Sequence, residues 1–526
     1  MDNDKDKEYL LDGVTNGFNI IDDVDKLISY ECENYKSAEN PDAKPKLDKL
    51  LKQEIASGKI SQVQDKPQCI HSYGAVPKKG TDELRPVTDC SRPFGVSINE
   101  HIEYKRMRYM SIDDAAKHIR PGSYFAIVDI SKAYRSVPIN PKHRKYQGLK
   151  WMFGTYDRSK YKWFQDNFLC FGCSSSPGIF TRISDAIRRI MLKKGYTVIN
   201  FIDDFLIIAD SYDECLKGQL QLISLLIELG FAISWHKVIG PTCIIVFLGL
   251  TLNSIDMCVS MPGDKVIELK ELLSNYLEKK KATKREIQCL AGKLSFASTV
   301  IKAGRSFSRR VIDLLKTVKR GHHFIKLNNA FRKDVRMWLS FLLDNFNGTA
   351  KLLDNLPVDL DIFQTDSSFF GYGAYFDGEW LAGGWHDNAT PCVPANVDIS
   401  KNWCNFEIPD AIKGNINALE FLPIVKAART WGHLWSNKKV IVYTDNMQCL
   451  SYINKGTCKD SPPLMDYIRE LSLIAAINNF QMVAHHIKGE QNVIADCLSR
   501  LDNMRMWDNL IKYIAKNNIP FYLQVI

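Results

Sequence analysis

Phe201-Ile202-Asp203-Asp204 sets two adjacent carboxylates between apolar runs, Val198-Ile199 before and Phe205-Leu206-Ile207-Ile208 after. The pattern reads as a β-hairpin with the acids at its turn. Two negative charges at the rim of a buried sheet repel each other and are costly unless a cation neutralises them. A third acid, Asp129, ends another apolar run, Tyr124-Phe-Ala-Ile-Val-Asp129. One carboxylate from a strand and two from a hairpin can hold a pair of divalent ions roughly 3.5–4 Å apart, the arrangement for in-line phosphoryl transfer. The backbone carbonyl of Ile130 can add a ligand. An Asp-Asp pair alone is usually a solvated turn; the flanking strands give this one its weight.

A second set of acids lies toward the C-terminus. Asp366 follows the strand-like Ile362-Phe-Gln-Thr and precedes the glycine-rich hairpin Phe369-Phe-Gly-Tyr-Gly-Ala-Tyr-Phe376. Glu420 falls in the opening turn of a helix expected over 417–431. Asp445 ends the strand Val440-Ile-Val-Tyr-Thr, and Asp496 lies in the amphipathic Asn492-Val-Ile-Ala-Asp496-Cys-Leu-Ser-Arg500. Any one of these is ordinarily a cap or a surface acid. Four in this order, each at an element end or on a helix face, can converge on two ions that activate water against a phosphodiester. Pro423 should kink its helix or end the first turn.

These acids need a large scaffold, and 526 residues call for several domains. The 45% hydrophobic and 25% charged content is that of a soluble globular protein. No apolar run approaches the roughly 20 residues that span a bilayer, and the acidic start MDNDKDKEYLLDG lacks a signal-peptide layout. The expectation is an intracellular protein, cytoplasmic or nuclear, with no membrane partner. The 14 cysteines are scattered, and Cys170-x-x-Cys173 lacks a second pair for a zinc site, so it reads as two small loop residues. The formal charge of +9 is concentrated in 279–326, which includes Lys284, Arg305, Arg309 and Arg310. Beside a phosphoryl-transfer site such a block is a track for a nucleic-acid backbone.

Five segments follow from the patterning. Residues 1–65 form a charged, helix-like extension with Ile20, Ile21, Val24, Leu27 and Ile28 at helical spacing. Strands and helices alternate over 66–255. The pattern is helical over 256–356, with helices at 266–277, 284–298, 308–318 and 329–343. A new α/β pattern covers 357–500, and 501–526 is a tail with a helix and a short strand.

Within 66–255, Val76-Pro-Lys78-Lys79-Gly80 and Leu84-Arg85-Pro-Val-Thr-Asp89 read as a hairpin bearing cations that can grip a triphosphate. Asp129-Ile-Ser-Lys-Ala-Tyr134 places an aromatic ring where the sugar of an incoming nucleotide would lie. Phe171-Gly172-Cys-Ser-Ser-Ser176-Pro177-Gly178 is a loop of small residues that lets backbone approach a base pair. Gly230-Phe-Ala-Ile-Ser-Trp-His-Lys237 reads as the start of a strand.

In order and spacing, about 70–255 resembles the fingers and palm of reverse transcriptases. The resemblance implies that Asp129, Asp203 and Asp204 are catalytic metal carboxylates, with Ile130 as a backbone ligand. It also implies that Lys78 (or Lys79) and Arg85 bind triphosphate, Tyr134 discriminates the ribose, Gly172 lies in the nucleotide pocket, and 247–251 is the primer-gripping hairpin. The usual Tyr before the Asp pair is Phe201 here, and the residue before Gly172 is Phe171, as in long-terminal-repeat-type elements.

Residues 360–500 resemble the RNase H fold. The resemblance implies Asp366, Glu420, Asp445 and Asp496 as metal ligands, with His486 (His485 is adjacent) as a mobile histidine. The implied fold is α+β and multidomain: a right-hand polymerase of fingers, palm and thumb, a helical connector and a C-terminal RNase H-like α/β domain. The implied cofactor is Mg²⁺, two per active site, with Mn²⁺ as the alternative. Implied partners are an RNA template, a DNA primer, an RNA/DNA hybrid and dNTPs, together with coat or recombinase proteins of the element.

Leu290-Ala-Gly-Lys-Leu-Ser-Phe296 with Gly304-Arg305, the stretch 338–348, and Ala495-Asp-Cys-Leu-Ser-Arg500 look most like DIRS-like (tyrosine-recombinase) retrotransposons, with Ty-gypsy elements close. The competing readings are a domesticated, non-catalytic nucleic-acid-binding relative and an RNA-dependent RNA polymerase or splicing-factor-like scaffold. Retention of all seven acids argues against the first. Tyr134 and the second acid set argue against the other.

Overall fold

Phe125, Ala126 and Val128 are fully buried, so the run Tyr124–Asp129 occupies the interior of a sheet. Its neighbours are Asp204–Ala209 on one side and Ile239–Thr242 on the other, with Thr197–Phe201 outermost, all antiparallel. The computed structural model describes residues 4–525 except 23, 25, 26, 78–81, 83, 104–106, 155–159, 353–357 and 459–461. It divides into two units, Met1–Phe247 and Leu248–Ile526, with a mixed α+β architecture.

In the first unit the helices Ser176–Lys193 and Tyr212–Glu228 supply Phe180, Ile187, Leu222 and Leu226 to the core of the four-stranded sheet. A separate sheet runs Tyr30–Glu31, Cys69–Pro77, Gly148–Trp151, Lys162–Asp166, Ile60–Val63, and Leu84–Asp89 pairs with Cys69–Pro77. The N-terminal residues belong to both cores. Leu10, Phe18, Ile20, Ile21 and Leu27 join the first, and Leu47 and Leu51 of the helix Lys44–Ala56 join the second. Among the described residues of 20–28, Ile20, Ile21, Val24, Leu27 and Ile28 are not helical. Gly17 takes φ +80, and Phe18 bridges to Ile139. That extended contact satisfies the backbone and turns Ile20 and Ile21 inward from irregular chain.

The second unit opens with the strands Leu250–Asn253 and Cys258–Ser260, and helices follow from Gly263. Thr283 and Glu286 form a reciprocal capping box at the start of Lys284–Val300. The stretch expected as one helix to 343 runs as Asn329–Met337 and then loosens into a π-helical segment at Trp338–Leu343. The expected 308–318 helix closes early, at Arg309–Leu314. A five-stranded sheet follows, in the order Glu379–Gly384, Gly371–Phe376, Val358–Ser367, Lys439–Thr444, Gln481–His486. The first three strands are antiparallel; the last two run parallel to the central one. Alternation on Gly371–Phe376 feeds two cores. Tyr372, Ala374 and Phe376 meet the helices Ile416–Trp431 and Pro462–Ile477, whereas Tyr375 meets Trp507 and Leu510 of Met504–Asn517.

Pro423 does not end its helix, which continues unbroken over Ile416–Trp431. A proline there leaves the carbonyl four residues earlier without its helical donor. That carbonyl belongs to Leu419, and Ser367 Oγ donates to it at 2.9 Å. The strand that carries Asp366 thus repairs the helix that carries Glu420.

Candidate active sites

In the first unit, Asp129 and Asp204 are direct cross-strand partners. Asp203 occupies the turn that joins Phe201 to Asp204. Ile202 in that turn has φ +55, an unusual conformation for a β-branched residue that costs ~1–3 kcal/mol and persists only where the surroundings enforce it. Part of the enforcement is the Ile130 N–H, which donates to the Asp203 carbonyl at 3.1 Å. The ring of Phe201 packs on Tyr109 with centroids 5.5 Å apart, a contact that needs no phenolic hydroxyl.

The three carboxylates perturb one another. Burial, the hydrogen bond with Asp129 and the charge of Asp203 push Asp204 up to about 7. Burial first, and the charge of Asp129, also raise Asp203. Burial acts to raise Asp129 as well, but hydrogen bonds with Asp204 and Lys237 outweigh it and the net direction is down. Like charges brought together on directly paired strands form a donor set suited to a divalent cation.

Lys237 was not singled out by sequence reasoning. Its Nζ sits 2.7 Å from Asp129 Oδ2. The expected strand start at 230–237 is instead an isolated bridge, Ile130 to Ile233, followed by a 3₁₀ turn at Trp235–Lys237. The turn lifts the lysine over the acids; a cation six residues beyond Phe231 gave no periodic signal of this.

Tyr134 lies beside them. Its ring meets Phe171 at 5.1 Å and Phe180 at 5.9 Å, and burial raises its phenol. The Arg85 guanidinium is 5.5 Å from the Phe171 ring. Lys78 and Lys79 lie outside the described residues. Gly172 has φ +120, and a Cβ there would stand 1.8 Å from the Thr88 carbonyl oxygen. Thr88 N in turn donates to the Phe171 carbonyl at 3.1 Å. Gly172→Ala is therefore expected to cost ~1–3 kcal/mol from backbone strain and overpacking. Denaturant unfolding of the two proteins checks this; an unchanged midpoint would show that the loop relaxes freely. Cys170 and Cys173 lie in a loop, as expected, and are buried there, with Cys90 Sγ 4.0 Å from Cys170 Sγ.

In the second unit, ligand atoms of Asp366, Glu420 and Asp445 all lie within 4.8 Å of one another. Asp366 faces Gly373 in the antiparallel ladder. A Cβ on Gly373 would stand 2.5 Å from the Ala495 carbonyl oxygen, so glycine lets the helix Val493–Ser499 lie against the strand. That helix brings Ser499, whose Oγ donates to Asp366 Oδ2 at 2.6 Å. Asp496, on the same helix, is ion-paired with Arg500 at 2.9 Å and stands outside the tight triad. Burial, then the charges of Asp366 and Asp445, push Glu420 up to about 9. Burial first raises Asp366 to about 6, with Asp496 and Asp445 adding to it. Glu420 Oε2 is buried with no hydrogen-bond partner. An orphaned carboxylate oxygen amid two like charges fits a cation.

His486 is the register partner of Thr444, the residue before Asp445, and is exposed. His485 is also exposed, with its ring 6.1 Å from Tyr443. Among the four basic residues singled out for nucleic acid, Lys284 Nζ donates to the Val318 carbonyl at 2.7 Å. Arg309 forks onto Asp313. Arg310 spans Asp334 at 2.6 Å and Asp466 at 3.0 Å. Arg305 is exposed. Arg310 thus ties helices together, whereas Arg309 is paired within its own helix and Lys284 holds the chain at Val318.

The reverse transcriptase (RNA-dependent DNA polymerase) family model matches residues 76–252. The "Enzymatic polyprotein" of Cauliflower mosaic virus (strain D/H) is 22% identical over 409 residues, covering 76% of this chain and 55% of that protein. "Polyprotein P3" of Commelina yellow mottle virus is 21% identical over 410 residues, covering 77% of this chain and 20% of its own length. The "Gag-Pol polyprotein" of Gibbon ape leukemia virus is 22% identical over 31% of this chain. The chain spans about half the length of the Cauliflower mosaic virus proteins it matches. A foamy viral protease-reverse transcriptase in complex with dsDNA superposes with a TM-score of 0.53 at 15% identity, covering 90% of this chain and 73% of that one. A second such complex gives 0.50 at 14%, covering 92% and 94%. These are likenesses of fold. Over residues 76–252 the chain is thus similar to reverse transcriptase domains, and over longer stretches to viral polyproteins that carry them.

Proposed function

We propose that this chain is a retroelement reverse transcriptase that synthesises DNA on RNA and DNA templates and cleaves RNA in RNA/DNA hybrids. The observation that carries the polymerase reading is the Asp129–Asp204 cross-strand pair with Asp203 in its turn, beside the Tyr134–Phe171–Gly172 wall. Asp129, Asp203 and Asp204, with the Ile130 carbonyl, would hold Mg²⁺ or Mn²⁺, two ions per site. Bound there, the ions supply charge neutralisation and orientation for in-line displacement. Lys237 fixes Asp129 in its ionised form. Arg85, with Lys78, serves the triphosphate.

In the second unit Asp366, Glu420, Asp445 and Asp496 hold the ions for hydrolysis, and His486 serves release or proton transfer. The orphaned Glu420 oxygen supports this reading. We assign fingers and palm to 66–255, thumb and connection to 256–356, the RNase H-like domain to 357–500, an N-terminal segment to 1–65 and a tail to 501–526. Lys284, Arg305, Arg309 and Arg310 would follow the duplex backbone once their present partners are exchanged for phosphate. Partners are an RNA template, a DNA primer, their hybrid and dNTPs, with coat or recombinase proteins of the element. The strings at 290–305, 338–348 and 495–500 support a DIRS-like placement. Among the described residues no helix is long and apolar enough to cross a membrane; an intracellular site, cytoplasmic or nuclear, is part of the proposal.

Primer extension on an RNA template with Mg²⁺, comparing dNTPs with NTPs, tests it. Extension with dNTPs is expected; extension with NTPs alone, or none, overturns it. Tyr134→Ala is expected to relax the dNTP preference by about 10- to 200-fold, the scale of a steric contact. An unchanged ratio of kcat/KM values would remove Tyr134 from ribose selection.

A further inference from the structure

Arg135 follows Tyr134 in the 3₁₀ turn Ala133–Ser136 and is buried. Burying a guanidinium is costly unless acids meet its donors. Here two acids from distant elements do so. Arg135 Nε and Nη2 donate to Glu54 Oε2 at 2.9 and 2.8 Å, and Nη1 donates to Asp166 Oδ1 at 2.6 Å. Glu54 lies in the last turn of the helix Lys44–Ala56, and Asp166 ends the strand Lys162–Asp166. Nη1 also donates to the Leu169 carbonyl at 3.4 Å. Lys132, two residues before Tyr134, takes φ +51, and its ammonium stands 3.7 Å from Glu54 Oε1. The cations on either side of Ala133-Tyr134 therefore both end on one carboxylate.

A buried ion-pair network is ordinarily a tie within the fold. What marks this one is where the tied segments lead. The first is the turn that carries Tyr134. The second is 166–169, which runs on into Phe171, and the Phe171 ring meets Tyr134 with centroids 5.1 Å apart. Backbone bonds lace the two segments together. The Leu169 N–H donates to the Val137 carbonyl at 3.0 Å, and the Val137 N–H donates to the Tyr134 carbonyl at 3.2 Å. Asp166 Oδ1 also accepts from the Phe168 N–H at 3.2 Å. One guanidinium thus sets the tyrosine turn against the pocket loop, and residue 54 supplies its anchor. A wall excludes an added oxygen only if it cannot recede. A displacement of about 1 Å at a reacting site can change a rate by about 100-fold.

We propose that Glu54, acting through Arg135, is a positioning residue that holds Tyr134 firmly enough to select deoxyribonucleotides. The inference rests on the reading of Tyr134 as the ribose-selecting ring. It gives part of the segment 1–65 a task in the polymerase site, although Glu54 is 81 residues from Arg135 in the chain and is not one of the three acids of that centre.

The test is primer extension by the full chain, comparing kcat/KM for a dNTP and for the matching NTP in the parent, Glu54→Gln, Tyr134→Ala and the double variant. Glu54→Gln keeps the side-chain volume and one acceptor oxygen, and Asp166 still neutralises Arg135. The dNTP-to-NTP ratio is expected to fall about tenfold in Glu54→Gln, mainly through better use of the NTP, which is the scale of a relaxed steric contact. In the Tyr134→Ala background, Glu54→Gln should change the ratio no further, because a residue that acts through another is not additive with it. Asp166→Asn weakens the same anchor from its other side and should lower the ratio alike, so a folding failure of one variant leaves the other to decide. An equal loss of dNTP and NTP use, with the ratio unchanged in whichever variant folds, marks a tie of the fold and overturns the inference alone. So does an effect of Glu54→Gln that persists in full in the double variant. A parent chain with no dNTP preference, or one that keeps it in Tyr134→Ala, overturns the ribose-selection reading and this inference with it.

Discussion

Asp203→Asn is expected to lower primer extension at least about a thousandfold, the upper range for removing one electrostatic element from a reaction centre, while RNA cleavage in a hybrid proceeds at its normal rate. The reason is local. Asp203 sits in a two-residue turn with Ile202 at φ +55, and its backbone carbonyl accepts from Ile130. The amide keeps shape and backbone but supplies no second charge beside Asp204. Without metal the variant should be no less stable than the parent, because a like charge has been removed from beside Asp129 and Asp204. The rise in melting temperature that Mg²⁺ gives the parent through binding to the folded state should shrink. Steady-state extension, hybrid cleavage and thermal melts with and without Mg²⁺ check all three outcomes. A folded Asp203→Asn protein that has lost both activities would show that the two reactions do not have separate sites.

Asp445→Asn should give the mirror result: cleavage of the RNA strand lost by a comparable factor and extension retained. The acid belongs to the triad with Asp366 and Glu420, all within 4.8 Å, and lies in the unit Leu248–Ile526, whereas the polymerase acids lie in Met1–Phe247. This centre also has a pH signature. Glu420 is raised to about 9 from an ordinary carboxylate value of 4.5. For an acid raised on folding, the stabilising contribution of the neutral form is full below the unfolded value. It is lost as pH climbs through the folded one. Metal-free protein should therefore lose stability between about pH 4.5 and 9, and Mg²⁺ should restore it at the alkaline end. Asp445→Asn should flatten that slope, since one of the charges raising Glu420 is gone. Thermal melts across this range decide it; a slope unchanged in the variant would mean that Glu420 does not sense Asp445.

The positions of Asp129 and Asp445 were legible in the sequence because these two acids end apolar strands. A buried apolar run such as Tyr124-Phe-Ala-Ile-Val fits only the interior of a sheet, so a carboxylate that ends it falls at the sheet's rim. The turn between Phe201 and Asp204 needed only two residues, and the chain supplies two. The helices Gly263–Glu278 and Lys284–Val300 were legible from their periodicity, to within three residues at each end.

Tertiary structure alone decided the rest. Which cation lies on Asp129 depends on a 3₁₀ turn 108 residues downstream that carries Lys237. Whether Pro423 breaks its helix depends on Ser367, 52 residues before Leu419, reaching that helix's free carbonyl. Whether Arg310 is a phosphate ligand or a helix tie depends on Asp334 and Asp466. Periodicity reports the face an element must bury, because burial acts residue by residue along the local backbone. Partner choice depends on which distant polar groups folding brings within hydrogen-bond reach, and no local pattern encodes that.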